Sequence, residues 1–165
     1  MLQLIKSIQE LKFSQIMDVY TQSNLRYGNK VYKQLPEGLR LLSAEQDFYA
    51  YLCAFFRTQG AFYAVWCVDG QYLSALRMEP YHDGYLLAGL ETIPDERGKG
   101  YAKLLIKQTL VEFRTHSRLP VYSHIEKSNS ASIAVHKACG FVFLWDEADY
   151  IDGTHADDAS TWIWK

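Results

Sequence analysis

Between Tyr85 and Phe113 an apolar run, a proline, two glycines and a helical stripe follow one another, and few architectures accommodate that order. The run Tyr85-Leu86-Leu87-Ala88-Gly89-Leu90 reads as a buried strand. Pro94 ends it, because proline cannot continue the hydrogen-bond ladder. Gly98 and Gly100 then open a helix whose apolar residues, Ala102, Leu105, Ile106, Thr109, Leu110 and Phe113, recur with a 3.6-residue period. A glycine-rich turn between strand and helix leaves backbone N–H groups without partners and lets an anion approach the main chain. Arg97, Lys99 and Lys103 add positive charge there, so a diphosphate is the expected occupant.

The dinucleotide fingerprint needs a third glycine where this chain has Lys103, and the Walker pattern needs a spacing and a Lys-Ser/Thr pair that are both absent. Arg97-x-x-Gly100-x-Ala102 fits a different pattern without a gap. A second pattern lies downstream in Asn129-x-x-Ser132-x-x-x-His136-x-x-x-Gly140-Phe141. Positions 129, 132, 133 and 136 share one helix face. Read alone, Asn129 is also a plain N-cap and Ser132 a neutral helix residue. Taken together, the two patterns resemble the pyrophosphate-binding signature and the fourth-helix segment of the GNAT superfamily of acyl-CoA-dependent N-acyltransferases.

Length and composition agree with that resemblance. The 165 residues suffice for one domain, 1–165, with a substantial core, and 48% hydrophobic content excludes disorder. A net charge of −2 argues against nucleic-acid binding, which needs clustered Lys and Arg. Cys53, Cys67 and Cys139 are odd in number and read as free thiols of a reducing compartment. No signal-peptide pattern or membrane span is visible, so a cytoplasmic location is expected.

In chain order, a first strand precedes a capping box at Ser7-Ile8-Gln9-Glu10 and a helix through Ile16, Met17 and Tyr20. Residues 23–42, with Asn24, Gly28, Asn29, Pro36 and Gly38, read as a long connection. Ser43-x-x-Gln46 reads as the capping box of a second helix, ended by Gly60. Strands over 62–68 and 71–78 flank an Asp69-Gly70 hairpin turn, and His82-Asp83-Gly84 leads to the strand at 85–93. The strand at 120–126 is parallel to 85–93 if they pair across the helical crossover. A helix over 130–138 and an antiparallel pair at 141–145 and 161–164 complete the chain. The expected fold class is α+β, a mixed sheet ordered β-α-α-β-β-β-α-β-α-β-β, and this is also the order of the GNAT fold.

The resemblance implies acetyl-CoA as co-substrate, and no His/Cys/Asp spacing suggests a metal site. It places the donor against Leu90, Thr92, Arg97, Gly98, Lys99, Gly100, Tyr101, Ala102, Lys103, Asn129 and Ser132. His136 stands where the family usually carries a tyrosine near the CoA sulfur, and is expected either to protonate the leaving thiolate or only to pack. His124 matches a position where some relatives have a catalytic Glu, and is the candidate base. Glu91 is assigned by strand parity to the face away from the acceptor, unless a bulge reverses it. The acidic segment from Asp146 to Asp158 reads as a solvated loop, or as an attractor for a cationic amine. The implied activity is acetyl transfer to a primary amine, small-molecule or peptide, by a monomer or homodimer. The alternative is a non-catalytic acyl-CoA-binding module on the same fold.

Overall fold

The computed structural model describes residues 1–165. Strand β1 (Leu2–Ile5) is followed by helices α1 (Phe13–Val31) and α2 (Glu37–Phe55) and by strands β2 (Phe62–Val68), β3 (Gln71–Tyr81) and β4 (Gly84–Thr92). A 3-10 turn, Pro94–Glu96, leads to α3 (Tyr101–His116), then β5 (Val121–Glu126), α4 (Ser130–Ala138) and β6 (Val142–Trp145). Strands β7 (Ala148–Asp149), β8 (His155–Ala156) and β9 (Ala159–Trp164) end the chain. Seven strands form one sheet in the order β1-β2-β3-β4-β5-β9-β6, parallel only between β4 and β5, while β7 and β8 form a separate small ribbon. No helix is long and apolar enough to cross a membrane.

Alternation along the strands sends side chains to two helical layers. Tyr63, Val65 and Cys67 of β2 face α1 and α2, where Ile16, Tyr20, Leu52 and Phe55 close over them. Phe62 and Ala64 face the other way, with Leu76, Met78 and Leu87, and meet Leu105, Ile106, Leu110 and Phe113 of α3. Leu105 and Ile106 are fully buried. Each contributes about 1.5–3 kcal/mol from burial, and truncating Leu105 to Ala costs about 2–5 kcal/mol.

The long connection expected over residues 23–42 is instead helix, apart from residues 32–36. Its polar residues have packing roles. A Cβ at Gly28 would lie 2.5 Å from the Arg40 carbonyl oxygen, so glycine is what lets α1 and α2 approach closely. Ser43 sits inside α2, which starts at Glu37 after Pro36, so the capping box expected there does not form. The Ser7–Glu10 box closes a turn, with the Lys6 N–H donating to Glu10 Oε2 at 3.0 Å, and α1 begins only at Phe13. α2 ends at Phe55, ahead of Gly60. The Asp69-Gly70 turn forms as expected, with positive φ at both residues.

Two irregularities in β4 decide which side chains reach its free edge. Its pairing with β5 stops after Tyr85↔Val121 and Leu86↔Tyr122, and beyond that point the two strands diverge. Against β3, Ala75 pairs with Glu91 and Arg77 with Ala88, so β4 carries one extra residue. Gly89 lies in this bulge with φ +62. Leu87 and Leu90 consequently both pack on the α3 layer.

Candidate active site

The divergence of β4 from β5 opens a cleft of about 250 Å3, lined by Leu87 to Glu91 on one strand and Ser123 to Glu126 on the other. Arg26 of α1, Tyr150 of the β7–β8 ribbon, and Asn129, Ser132 and His136 complete the wall. Of the expected site residues, Leu90, His124, Asn129, Ser132 and His136 therefore meet in one place. Thr92 lies at the end of β4, and residues 97–103 form the turn after it and the first residues of α3.

At that turn Gly98 and Gly100 have φ of +76 and +88, and a Cβ on either would meet no protein atom within 4 Å. The first hydrogen bond of α3 outside the element runs from Leu104 N to Gly100 O. The amides of Gly98, Lys99, Gly100, Tyr101, Ala102 and Lys103 have no protein acceptor. A run of unpartnered donors at a helix N-terminus is a positive pole. The basic residues are distributed differently from the sequence expectation. Arg97 donates from Nε to the Thr92 carbonyl at 3.0 Å, from Nη1 to Gln22 Oε1 at 2.7 Å and from Nη2 to Glu91 Oε2 at 3.3 Å. It thus ties the turn to β4 and α1. Lys99 pairs with Glu96 at 2.9 Å, and that bond raises its pKa. Lys103 has no carboxylate partner.

Glu91 corrects the parity argument. The extra residue at the Gly89 bulge moves it onto the face of Leu86 and Ala88, where it lines the cleft. Its carboxylate accepts from Ser23 Oγ and from Arg97, with Arg26 Nη2 at 3.7 Å. Its carbonyl accepts from Ser74 Oγ at 2.7 Å, and the same hydroxyl lies 3.0 Å from Thr92 Oγ1. The sequence signal for this arrangement is a glycine inside a strand, which marks a bulge.

His136 is buried beneath the cleft wall with its edge against Phe141. Nδ1 lies 2.8 Å from the Ser132 carbonyl, which can only accept, so Nδ1 carries the proton. Nε2 then accepts from Ser123 Oγ at 3.1 Å. Burial lowers the pKa, and the ring stays neutral. In this arrangement the one ring proton, on Nδ1, is donated to the Ser132 backbone carbonyl.

His124 is half-buried on the opposite face of β5. Its Nε2 faces the Asp149 carbonyl at 3.1 Å and its Nδ1 faces Thr161 Oγ1 at 3.0 Å. Burial lowers its pKa as well, the Asp149 contact working against this. Both nitrogens of the candidate base are therefore engaged, tying β5 to the ribbon. Asn129 Oδ1 accepts the Ser132 N–H at 3.0 Å and so caps α4, leaving its Nδ2 for the cleft.

The acidic segment contains the β7–β8 ribbon, and several of its carboxylates converge on His155. His155 lies 2.8 Å from Asp149 Oδ1 and 2.9 Å from Asp157 Oδ1, contacts that raise its pKa. Asp146 pairs with Lys127 at 3.1 Å. Glu147, His155 and Asp157 place exposed ligand-type atoms within 4.8 Å of one another, a grouping the spacing alone does not suggest. The acidic side chains lining the cleft are Glu91 and Glu126, and the segment contributes only Tyr150.

A family model described as the acetyltransferase (GNAT) family matches residues 19–141. No curated protein matches by sequence. Among solved structures, the PaiA N-acetyltransferase of Thermoplasma acidophilum, in complex with coenzyme A, superposes with a TM-score of 0.67 at 14% identity, covering 100% of this chain and 99% of that one. The ribosomal-protein-alanine N-acetyltransferase of Brucella melitensis gives 0.59 at 17% identity, over 89% and 94% of the two chains. A chimeric spermidine N-acetyltransferase from Vibrio cholerae gives 0.59 at 17% identity, over 98% and 93%.

Proposed function

The chain belongs to the acetyltransferase (GNAT) family, and on that premise we propose that it transfers an acetyl group from acetyl-CoA to a primary amine. One observation carries this reading: the row of unpartnered amides from Gly98 to Lys103 follows directly on the strand whose departure from β5 opens the cleft, and Arg97 ties that turn to Glu91 in the cleft wall. The residues fit the donor, because the space beside Gly98 and Gly100 is open to phosphate and a polar strand edge continues from it. Acetyl-CoA supplies an acyl group activated as a thioester. The amides of residues 98–103 and the Lys103 ammonium hold its diphosphate, with Arg97 fixing the turn. The free β4 edge near Leu90 and Thr92 offers backbone groups to the pantetheine amides, as a sheet accepts an added strand. Asn129 Nδ2 and Ser132 border the same space.

The acceptor reaches the cleft from the α1 side, where Glu91 and Glu126 favour a cation. An alkylamine is almost wholly protonated near neutrality, since its pKa resembles that of lysine, about 10.4. It becomes a nucleophile only after losing that proton, and the Glu91 carboxylate takes it. Ser23 and Arg97 hold the carboxylate in place for this. His124 is the second candidate, because its lowered pKa keeps it neutral, though its Nε2 faces the Asp149 carbonyl and its Nδ1 faces the Thr161 hydroxyl, which donates to the Glu147 carbonyl. His136 positions the hydroxyls of Ser123 and Ser132 along the wall. Amine attack on the thioester carbonyl is direct: the C–N bond forms as the C–S bond breaks, and no covalent enzyme intermediate forms. CoA leaves as a thiolate that, with a thiol pKa of about 8.5, needs no enzyme acid and takes its proton from solvent.

Thiol release from acetyl-CoA with a panel of primary amines tests the proposal. Amine-dependent release that falls roughly 10²-fold in Glu91→Gln, with CoA affinity retained, supports it. CoA binding without release from any amine would instead favour the non-catalytic binding module.

A further inference from the structure

A second pocket, of about 350 Å3, lies between α1 and α2 and is lined mainly by Ser23, Asn24, Tyr27, Asp47, Phe48 and Tyr51. Its one charged group is a carboxylate. Asp47 Oδ2 accepts from Tyr27 Oη at 3.2 Å and from Tyr32 Oη at 2.5 Å, yet no cationic side chain pairs with the carboxylate. Asn24 is 6% exposed. Its Nδ2 meets only Met17 Sδ, at 3.7 Å, and its Oδ1 receives no hydrogen bond. The remaining walls are aromatic. Phe48 and Tyr51 stack at 6.1 Å with an interplanar angle of 8°. Tyr51 already attracts one cation, the Arg77 guanidinium 5.3 Å from its ring centre, and Glu79 offsets that charge.

A carboxylate without a cationic partner, an amide oxygen without a donor and aromatic faces together suit an alkylammonium, which donates hydrogen bonds and is drawn to ring faces. The pocket also adjoins the proposed reaction centre, because Ser23 lines it and donates to Glu91. We propose that this pocket is a subsite for the distal ammonium of a linear diamine or polyamine whose near amine is acetylated beside Glu91. The proposal rests on the acetyl-transfer reading and narrows its acceptor class. One carboxylate then serves each end of the acceptor: Asp47 holds the charged end and Glu91 deprotonates the reacting one.

Butylamine and putrescine isolate the effect, since they differ only by the second ammonium. Putrescine should be acetylated with a kcat/KM about tenfold or more above that of butylamine. Asp47→Asn, which keeps the shape and an acceptor for both tyrosines, should raise the KM for putrescine about tenfold. It should leave butylamine turnover within about twofold, a control that the variant is folded. Equal use of the two amines, or equal loss of both in the variant, would overturn the subsite while leaving acetyl transfer standing. So would strong preference for a lysine-bearing peptide over putrescine. Should no amine be acetylated, the acetyl-transfer reading fails instead. Calorimetric titration of putrescine then decides the subsite: binding abolished by Asp47→Asn supports it, and no binding refutes it.

Discussion

Gly89→Ala tests the bulge that brings Glu91 into the cleft. Residue 89 has φ +62, a conformation that costs an L-residue about 1–2 kcal/mol. An added Cβ would lie 2.8 Å from Arg77 Nη1 and 3.4 Å from Tyr20 Oη. The arginine end is flexible in principle, but Tyr51 and Glu79 hold it. Displacing this partly buried cation adds about 1–2 kcal/mol. A total of about 2–4 kcal/mol corresponds to a fall in Tm of roughly 4–16 °C for a chain of this size. The strand also gains an incentive to straighten, which would return Glu91 toward the opposite face. Thermal denaturation with and without CoA, together with steady-state kinetics, measures both effects. The expected variant melts earlier, binds CoA normally while folded, and loses kcat by about tenfold or more. A Tm within about 1 °C of wild type and unchanged kcat would refute the reasoning.

The same geometry makes three other perturbations informative. Gly100→Val should lower CoA affinity more than about tenfold in a folded protein, because a β-branched residue at φ +88 disturbs the amide row; calorimetric titration measures it. His124→Asn should retain the acidic limb of the pH–rate profile if Glu91 takes the amine proton, whereas loss of that limb would transfer the role to His124. Acid stability should depend on His136: burial depresses its folded pKa, so the unfolded chain binds a proton first as pH falls. Its contribution is therefore intact above pH about 6.5 and is lost as pH drops below that value through the folded pKa. Denaturation midpoints across this range should vary less in His136→Gln, and an equal dependence in both proteins would exclude the effect. Exposed His155, with a raised pKa, has the opposite sign.

The parts of this fold legible in the sequence are those where local chemistry and tertiary structure agree. The helix of residues 101–116 carries its own periodic stripe, and Pro94, Gly98 and Gly100 leave its start little freedom. The same holds for the Asp69-Gly70 hairpin and for α4 between Asn129 and Gly140. Sequence and structure part where a distant partner decides. Gly28 and Asn24 look like loop residues until α2 is set against them, one as a close contact and the other as a buried amide. Placing Glu91 requires the β3 register, since parity counts residues but not bulges. His124 and His136 are legible as cleft residues, but their proton-bearing atoms depend on carbonyls contributed by Asp149 and Ser132. The acidic segment looks available for an acceptor because its composition cannot show that Lys127 already pairs with Asp146 and that His155 lies against Asp149 and Asp157.

Mass spectrometry of a reaction containing acetyl-CoA, putrescine and the intact protein tests the central claim most directly. The account predicts monoacetylated amine, its formation strongly reduced in Glu91→Gln, and no acetyl group on the protein at any time. Product absent from putrescine and from every other primary amine despite CoA binding, or acetyl found on Cys53, Cys67 or Cys139 at a rate matching turnover, would contradict direct transfer to an amine in this cleft.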